Sequence, residues 1–447
     1  MSDSPYWNPK TETMPREGLR RLQGRKLKAL VARAHDRSPF HRRLLDQAKV
    51  KPERIRSLDD LKRLPFTTRE AWMECQGQVP MFGDMLAQPV DDAVRYHMTS
   101  GTTGRRPLRV LDSRFDWKWI AECWCYGFHA FGVRPRDRVF FAFSYATFIG
   151  FWGAHYACEK LGAMVLPSGN MTTPNRVRVI EELGATVVCA TPTYALRMAQ
   201  EARELGIDLP NGLVARLIVS GEPAGSIPAT KKMIEAQWGA KVGDTAGMTE
   251  LGTIMMFECS HQPGGAHIIE DHFVEEVIDP ATGEEVGYGE QGERVVTSFG
   301  RGMIPVIRYR TRDLVVKVPA SRCRCGRTFD LYEGGILGRV DDMLLVRGTN
   351  VYPRAVEAIV REYPAVDEFQ LHLWTDEGIR DEIGVRYEVR AGHEAGCEQA
   401  VAALQQDLVR NHEGLNFHLS RVPTGTLPRF ELKAKRVKDD RVVKGGA

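Results

Sequence analysis

Val139-Phe140-Phe141-Ala142-Phe143, Met164-Val165-Leu166, Thr186-Val187-Val188-Cys189-Ala190 and Leu217-Ile218-Val219-Ser220 decide the fold. Each run is apolar, rich in β-branched or aromatic residues and too short for a stable helix, so each reads as a buried strand. Between them the apolar residues switch to helical spacing. Val177, Ile180 and Leu183 form one stripe, stopped by Gly184, and Ala195, Met198, Ala202 and Leu205 form another, closed by Gly206. This alternation predicts an α/β fold whose mostly parallel sheet carries helices on both faces. Ligands of such sheets sit at the carboxyl ends of the strands. The segments to watch are therefore Ser144-Tyr145, Thr191-Pro192-Thr193-Tyr194 and Ser220-Gly221-Glu222-Pro223.

Working outward, the texture changes after about residue 265. Val274–Asp279, Glu293–Ser298 and Leu314–Val318 read as strands separated by turns, which predicts a β-rich subdomain. The last hundred residues hold two helical patterns, Arg354–Glu362 and Ala395–Asn411, among short strands, as expected of a small α+β domain. Gly338-Arg339-Val340-Asp341-Asp342 marks the boundary, giving a large domain over 1–338 and a small one over 339–447. Before the first strand, residues 16–43 are basic but carry Leu19, Leu22, Leu27, Leu30 and Val31 at helical spacing, so they read as a helix with a solvated face.

The chain has 447 residues, with 61 Lys plus Arg against 58 Asp plus Glu. A net charge of +3 gives no support for a nucleic-acid or membrane partner. No apolar run is long enough to span a bilayer, and the first ten residues have no signal-peptide pattern. Nine cysteines, an odd number, fit reduced thiols and a cytoplasmic location. Oligomeric state stays open, a homodimer included.

Thr99-Ser100-Gly101-Thr102-Thr103-Gly104 is the strongest chemical signal. Glycines permit close backbone approach, and hydroxyls with backbone N–H groups can cradle phosphate oxygens. No Lys-Ser or Lys-Thr follows, so this is not a P-loop. Gly287-Tyr288-Gly289-Glu290-Gln291-Gly292 matches the dinucleotide fingerprint, but a turn precedes it and a strand follows it, so it reads as a hairpin. Thr249 and Glu250, in Asp244-Thr245-Ala246-Gly247-Met248-Thr249-Glu250, pair a hydroxyl with a carboxylate, a set able to hold phosphate and magnesium or simply to start a helix. Arg308-Tyr309-Arg310-Thr311-Arg312-Asp313 ends in a carboxylate that can accept two ribose hydroxyls; the competing reading is a surface ion-pair cluster.

In order and spacing, the Ser/Thr/Gly-rich loop, Gly221-Glu222-Pro223, Gly247-Met248-Thr249-Glu250, Tyr309-Arg310-Thr311-Arg312-Asp313, Gly338-Arg339-Val340-Asp341-Asp342 and Lys433 resemble the adenylate-forming superfamily of acyl-CoA synthetases, adenylation domains and luciferases. Leu64-Pro65-Phe66-Thr67-Thr68, Glu270-Asp271-His272-Phe273, Pro305 to Leu314 and Asp341 to Gly348 bring the likeness closer to the phenylacetate-CoA ligase family, over nearly the whole chain. The resemblance implies an ATP-dependent ligase. It would join a small carboxylic acid to AMP with Mg²⁺, release pyrophosphate, and pass the acyl group to coenzyme A. It further implies that Thr99 to Gly104 grip the ATP phosphates and that Gly221, Glu222 and Pro223 border the adenine, with Asp244 and Ala246 beside them. Thr249 would contact the α-phosphate, Glu250 the magnesium and Asp313 the ribose, with Arg339 near the nucleotide. Asp341 would be the hinge of the small domain, and Lys433 the catalytic lysine it carries into the site. Two positions depart from the pattern: Ala246 stands where relatives carry an aromatic that stacks on adenine, and Leu432 where they carry a glycine.

Cys259-Ser260-His261 and Cys323-Arg324-Cys325-Gly326 are two short chelating pairs, a Cys₃His set that suits structural zinc. Cys123-Trp124-Cys125 lies in an aromatic helical stretch and reads as core. Tyr145, Phe148, Phe151 and Trp152 form a candidate acyl pocket, apolar walls suited to a compact aryl or arylacetic acid, although ordinary core packing explains each residue singly. Two other functions compete with the coenzyme A ligase. One is an adenylating enzyme that loads a carrier protein in trans, or an amine. The other is a catalytically silent nucleotide- or acyl-binding regulator, which the departure at Ala246 favours and intact Glu250, Asp313 and Lys433 oppose.

Overall fold

The computed structural model describes residues 4–79, 81–99, 107–261, 265–376, 380–430 and 434–441. The loop expected to grip phosphate from Ser100 to Gly104, and Lys433, lie outside the described residues, as does the side chain of Pro223.

A hairpin of β1 (Ala93–Met98) and β2 (Arg109–Ser113) precedes the main sheet. The four strands that the apolar runs predict follow as β3 (Arg138–Phe141), β4 (Met164–Pro167), β5 (Val187–Ala190) and β6 (Arg216–Ser220), and β7 (Lys241–Gly247) joins them. All five are parallel, in the order β4-β3-β5-β6-β7. Side chains alternate across the sheet, so Phe141 faces a core shared with Trp124, Phe128 and Ala157. Phe140 faces another, shared with Ile180, Met198 and Trp238. Helices Ile149–Leu161, Thr173–Glu182, Pro192–Glu204 and Pro228–Trp238 make the crossovers. A sheet buried on both faces explains why its strands read as continuous apolar runs.

The β-rich part is not a separate sheet. It comprises β8 (Ile254–Glu258), β9 (Gly265–Ile268), β10 (Phe273–Ile278), β11 (Gln291–Ser298), β12 (Val306–Val318) and β13 (Leu331–Glu333). β13 pairs with both β9 and β12, which welds these antiparallel strands onto β7 through β8. The segment Gly287–Gly292 forms the turn between antiparallel β10 and β11, as the hairpin reading requires. β12 begins at Val306, earlier than expected, so Arg308–Asp313 lies inside the strand. Its register against β11 shifts twice, and Arg308 and Arg312 there take positive φ of 44° and 64°. The basic N-terminal stretch is two helices, Arg16–Arg37 and Pro39–Gln47, divided at Ser38, whose side chain caps the second.

The strand β14 (Gly338–Arg339) adds to β12 and leads into the C-terminal unit. There β15 (Leu344–Val346) and β16 (Thr349–Val351) form a hairpin. β17 (Val366–Asp376), β18 (Arg380–Val389), β19 (His418–Arg421) and β20 (Val437–Asp440) form a sheet in the order β19-β18-β17-β20. Helices Pro353–Arg361 and Cys397–Asn411 close a core of its own around Val356, Val360, Phe369, Leu404 and Leu408. Among the described residues, no helix is long and apolar enough to cross a membrane.

Candidate active site

β3 has β4 on one side and β5 on the other, so the connections wind away from it in opposite directions. That reversal opens a crevice at the carboxyl ends of the strands, where α/β sheets bind ligands. Just past β3, Tyr145 and Ala146 take positive φ of 62° and 45°, a costly conformation for residues with a side chain. The Tyr145 hydroxyl hydrogen-bonds His155 Nδ1 (2.9 Å), and Trp152 Nε1 donates to the Ala146 carbonyl (3.0 Å). The rings of Tyr145 and Trp152 lie 4.8 Å apart, and those of Phe148 and Phe151 lie 5.2 Å apart. The four residues expected to form an acyl pocket therefore make one aromatic cluster, with Phe151 buried in its core against Phe143.

Past β6, Gly221 takes a φ of 97°, which turns the chain and presents Glu222. The two Glu222 oxygens accept backbone N–H groups from different parts of the protein: Thr193 (2.8 Å), at the start of the helix after β5, and Ala434 (3.2 Å), in the C-terminal unit. Ala434 follows Lys433 in sequence. Asp244, on β7, is nearly enclosed, and burial and then the Glu258 charge push its pKa well above the usual carboxylate range. Its Oδ1 is buried without a hydrogen-bond partner among the described residues. A Cβ at Gly225 would lie 2.5 Å from that oxygen, so only glycine leaves it room. Ala246 is on the same strand, half-buried.

Thr249 and Glu250 are buried in the turn between β7 and β8. Their carbonyls both accept from Arg301 Nη1, at 2.9 and 2.7 Å, and Arg301 is anchored on Asp112 (Nη2–Oδ1 2.7 Å). Burial raises the Asp112 pKa to about 6, against the opposing pull of Arg301. The Glu250 carboxylate accepts from Arg69 (2.6 Å) and Tyr309 (3.3 Å), both on Oε1, so the described residues leave Oε2 available. Arg69 also donates to Thr99 Oγ1 (3.2 Å) and so links Glu250 to the strand end that feeds the Ser/Thr/Gly-rich loop.

Across the site, Asp313 lies between two arginines, Arg294 (3.7 Å) and Arg339 (3.4 Å). Burial raises its pKa, and those arginines oppose the rise. Arg339 also forks onto Asp341 at 2.8 and 3.1 Å. Burial opposes ionisation of Asp341, but the Arg339 hydrogen bonds outweigh it and hold its pKa below the usual value. Arg312 bridges Asp341 (3.4 Å) and Glu70 (2.8 Å) beside a cavity of about 250 Å³ lined by Thr68, Glu293, Arg310, Arg312, Val340 and Asp341. The structure thus brings together Glu222, Asp244, Thr249, Glu250, Asp313, Arg339 and Asp341. Sequence reasoning missed Arg69 and Arg301, which no local motif marks.

The cysteine cluster corrects one expectation. Cys259, Cys323 and Cys325 do converge, but the fourth donor is His267, and all four donor atoms lie within 4.8 Å of one another. His261 is exposed and hydrogen-bonds Ser260 instead (3.2 Å). Strand register is the reason: β9 returns antiparallel to β8 and sets His267 opposite Phe257 and Leu331, next to both cysteine-bearing segments. The alternation in Ala266-His267-Ile268 was the available sequence signal. The Cys259 and Cys323 sulfurs are 3.5 Å apart, near the roughly 3.8 Å edge of a tetrahedron with metal–sulfur bonds of about 2.3 Å. His267 Nδ1 bonds the Phe329 carbonyl (3.0 Å), which leaves Nε2 to face Cys325 (3.3 Å), the usual outer support of a metal-binding histidine. The donor set therefore fits zinc.

Comparison with known proteins agrees with this geometry. Residues 16–303 match the AMP-binding enzyme family, and 348–441 match the AMP-binding enzyme C-terminal domain. The phenylacetate-coenzyme A ligase of Thermus thermophilus is 36% identical over 97% of this chain and 99% of its own. That of Escherichia coli is 33% identical over 97% and 98%. A crystal structure of 2-hydroxyisobutyryl-CoA ligase in the postadenylation state, holding 2-HIB-AMP, is 30% identical, with a TM-score of 0.91 over 98% of this chain and 93% of that one. The same ligase in its thioesterification state, with 2-HIB-AMP and CoA, gives 0.75 at 31% identity over 99% and 94%. The arrangement of this chain follows the first state more closely than the second. The chain belongs to the AMP-binding enzyme family and is an ATP-dependent, AMP-forming acyl-CoA ligase of the phenylacetate-CoA ligase-like kind.

Proposed function

We propose that the chain activates a small aromatic acid, aryl or arylacetic, in two steps at this site. The acid's carboxylate oxygen attacks the α-phosphorus of ATP, a P–O bond forms, and pyrophosphate leaves. The thiolate sulfur of coenzyme A then attacks the acyl carbon, a C–S bond forms, and AMP leaves. Adenine sits over Gly221, Glu222, Pro223 and Ala246, where the unpartnered Asp244 Oδ1 can accept an exocyclic N–H. Asp313, with Arg339 beside it, takes the ribose hydroxyls, and Thr249 holds the α-phosphate. Lys433 offsets the charge that develops there, the kind of electrostatic help that usually dominates catalysis. Glu250 Oε2 is the oxygen that would hold Mg²⁺, which when bound neutralises phosphate charge. Tyr145, Phe148, Phe151 and Trp152 bound the acyl group. We divide the chain at Gly338 and Arg339, with Asp341 as the hinge that lets Lys433 withdraw before the thiol enters. The nine free cysteines support a cytoplasmic location.

The observation that most supports this reading is the hydrogen bond from Ala434 to Glu222. It brings the segment that follows Lys433 to the carboxyl edge of the sheet, where Glu250, Asp244 and Asp313 also gather. The test is mass spectrometry of products from ATP, Mg²⁺, coenzyme A and a panel of benzoic and phenylacetic acids, with Lys433→Ala in parallel. The expected result is a thioester from the wild type that the variant does not make. Acyl-AMP without thioester would instead point to a carrier protein as acceptor. No product from any acid would reject the aromatic substrate class.

We also propose that Cys259, His267, Cys323 and Cys325 hold one structural zinc. Metal analysis should find about one zinc per chain in the wild type and in His261→Ala, and little in His267→Ala. Equal zinc loss in both variants would overturn the assignment.

A further inference from the structure

Helix Pro353–Arg361 of the C-terminal unit places Arg354 in its first turn, pressed against the large unit. Its guanidinium donates to three acceptors, all on the far side of the boundary: Ser226 Oγ (2.7 Å), the Gly334 carbonyl (3.1 Å) and the Leu337 carbonyl (3.4 Å). Away from the hinge, the other described hydrogen bonds between the units are few. Arg390 reaches the Met233 sulfur (3.4 Å), and Ala434 N reaches Glu222. Ser226 and Gly335 also wall the Asp244 carboxylate: a Cβ at Gly335 would meet Ser226 Oγ at 3.3 Å and Asp244 Oδ2 at 4.0 Å. Arg354 is near enough to Asp244 for their charges to interact. Its Nε is buried with no partner among the described residues. An arginine does not lose its charge in such a place, so it is costly to seat unless the acceptors stay where they are. A large rotation of the C-terminal unit would take all three away from it at once. The related ligase is known in two states, and this chain matches the postadenylation one, at 0.91 against 0.75.

We propose that Arg354 is a positioning residue for the first half-reaction, holding the C-terminal unit in the adenylating arrangement and releasing Ser226, Gly334 and Leu337 before the thiol step. The inference rests on the two-step, hinged reading above. It gives the two half-reactions opposite sensitivities to one side chain, which a merely structural residue does not do.

The test separates the half-reactions. Acid-dependent pyrophosphate release reports adenylation, and thioester formation from supplied acyl-AMP and coenzyme A reports the second step. For Arg354→Ala we expect pyrophosphate release to fall about tenfold, the loss of a barrier contribution worth one such hydrogen-bonded charge. Thioester formation from supplied acyl-AMP should be unchanged or faster. Arg354→Lys, which keeps the charge and one donor, should recover part of the first rate. Parallel loss of both rates, or loss of neither, overturns the proposal. A second measurement needs no substrate. All nine native cysteines are buried, so fluorophores can be placed on cysteines introduced at exposed Glu182 and Glu398. Energy transfer should show a population with a changed distance in Arg354→Ala and one dominant distance in the wild type. Identical distributions overturn the proposal even where no acid of the panel is activated, an outcome that would reject only the substrate class.

Discussion

The carboxylates on the two sides of the site are held by different means. On the parallel side, Glu222 is fixed by backbone N–H groups of Thr193 and Ala434. On the antiparallel side, arginine side chains do this work: Arg69 on Glu250, Arg294 and Arg339 on Asp313, and Arg301 on Asp112 and on the carbonyls beneath Thr249 and Glu250. In the parallel half the strand ends deliver the functional groups, because the crossover geometry already converges there. In the antiparallel half the turns do not converge by themselves, and buried cations pin them. Substitutions on the two sides should therefore fail differently: the antiparallel side should lose fold and activity together, the parallel side activity alone.

The largest effect is expected at Arg301. It is fully enclosed, and Asp112 beside it is equally so. Arg301→Met leaves that carboxylate buried without its cation, a loss of about 3–5 kcal/mol in unfolding free energy. The pH dependence gives a sharper sign. Asp112 already has its pKa raised to about 6 in the folded protein, so the folded state holds the proton more tightly than the unfolded chain. Stability from this group therefore falls as pH rises from the ordinary Asp value towards about 6, and is level above that. Without Arg301 the folded pKa climbs further, and the decline continues to higher pH. Denaturant unfolding of wild type and variant from pH 5 to 8 checks this. Parallel curves would mean that Asp112 is not coupled to Arg301.

Arg69 should show the opposite balance. It is partly exposed and bonds Glu250 and Thr99 rather than the core. Arg69→Ala should change unfolding free energy by less than about 1 kcal/mol, as exposed pairs do. It should nevertheless slow acid-dependent pyrophosphate release about tenfold, the cost of about one charge-assisted contact at the phosphates. A fall in thermal stability matching the fall in rate would put Arg69 with Arg301, as scaffold, and erase the distinction.

The same contrast explains what the sequence made legible. The four parallel strands, their crossover helices and the segments after them could be read because each is a local pattern and the topology does the rest. The hairpin at Gly287–Gly292 could be read from its turn residues. The merging of the β-rich strands into the main sheet could not, since it depends on β13 pairing with β9 across more than sixty residues of chain, as in Leu331 opposite His267. His261 was mistaken for His267 for the same reason: adjacency to Cys259 is visible in sequence, and strand register is not. Arg69 and Arg301 act on residues 181 and 51 positions away, so nothing near them announces a role. Asp313 and Glu250 were found only because a family pattern marks them.

The smallest effect is expected at Glu222, and it tests the parallel side on its own terms. Glu222→Gln keeps the size of the side chain. The amide oxygen can still accept one of the two backbone N–H groups, but the amide nitrogen then faces the other donor. The loss of about one hydrogen bond predicts a few-fold fall in pyrophosphate release with no measurable change in unfolding. Which bond is sacrificed can be read from the half-reactions. If the Thr193 bond goes, the helix start after β5 loosens and both half-reactions decline together. If the Ala434 bond goes, only adenylation declines, because that bond joins the units solely in the arrangement seen here. The second outcome would make Glu222 and Arg354 two contacts of one interface, and their double variant should then slow adenylation by less than the product of the single effects.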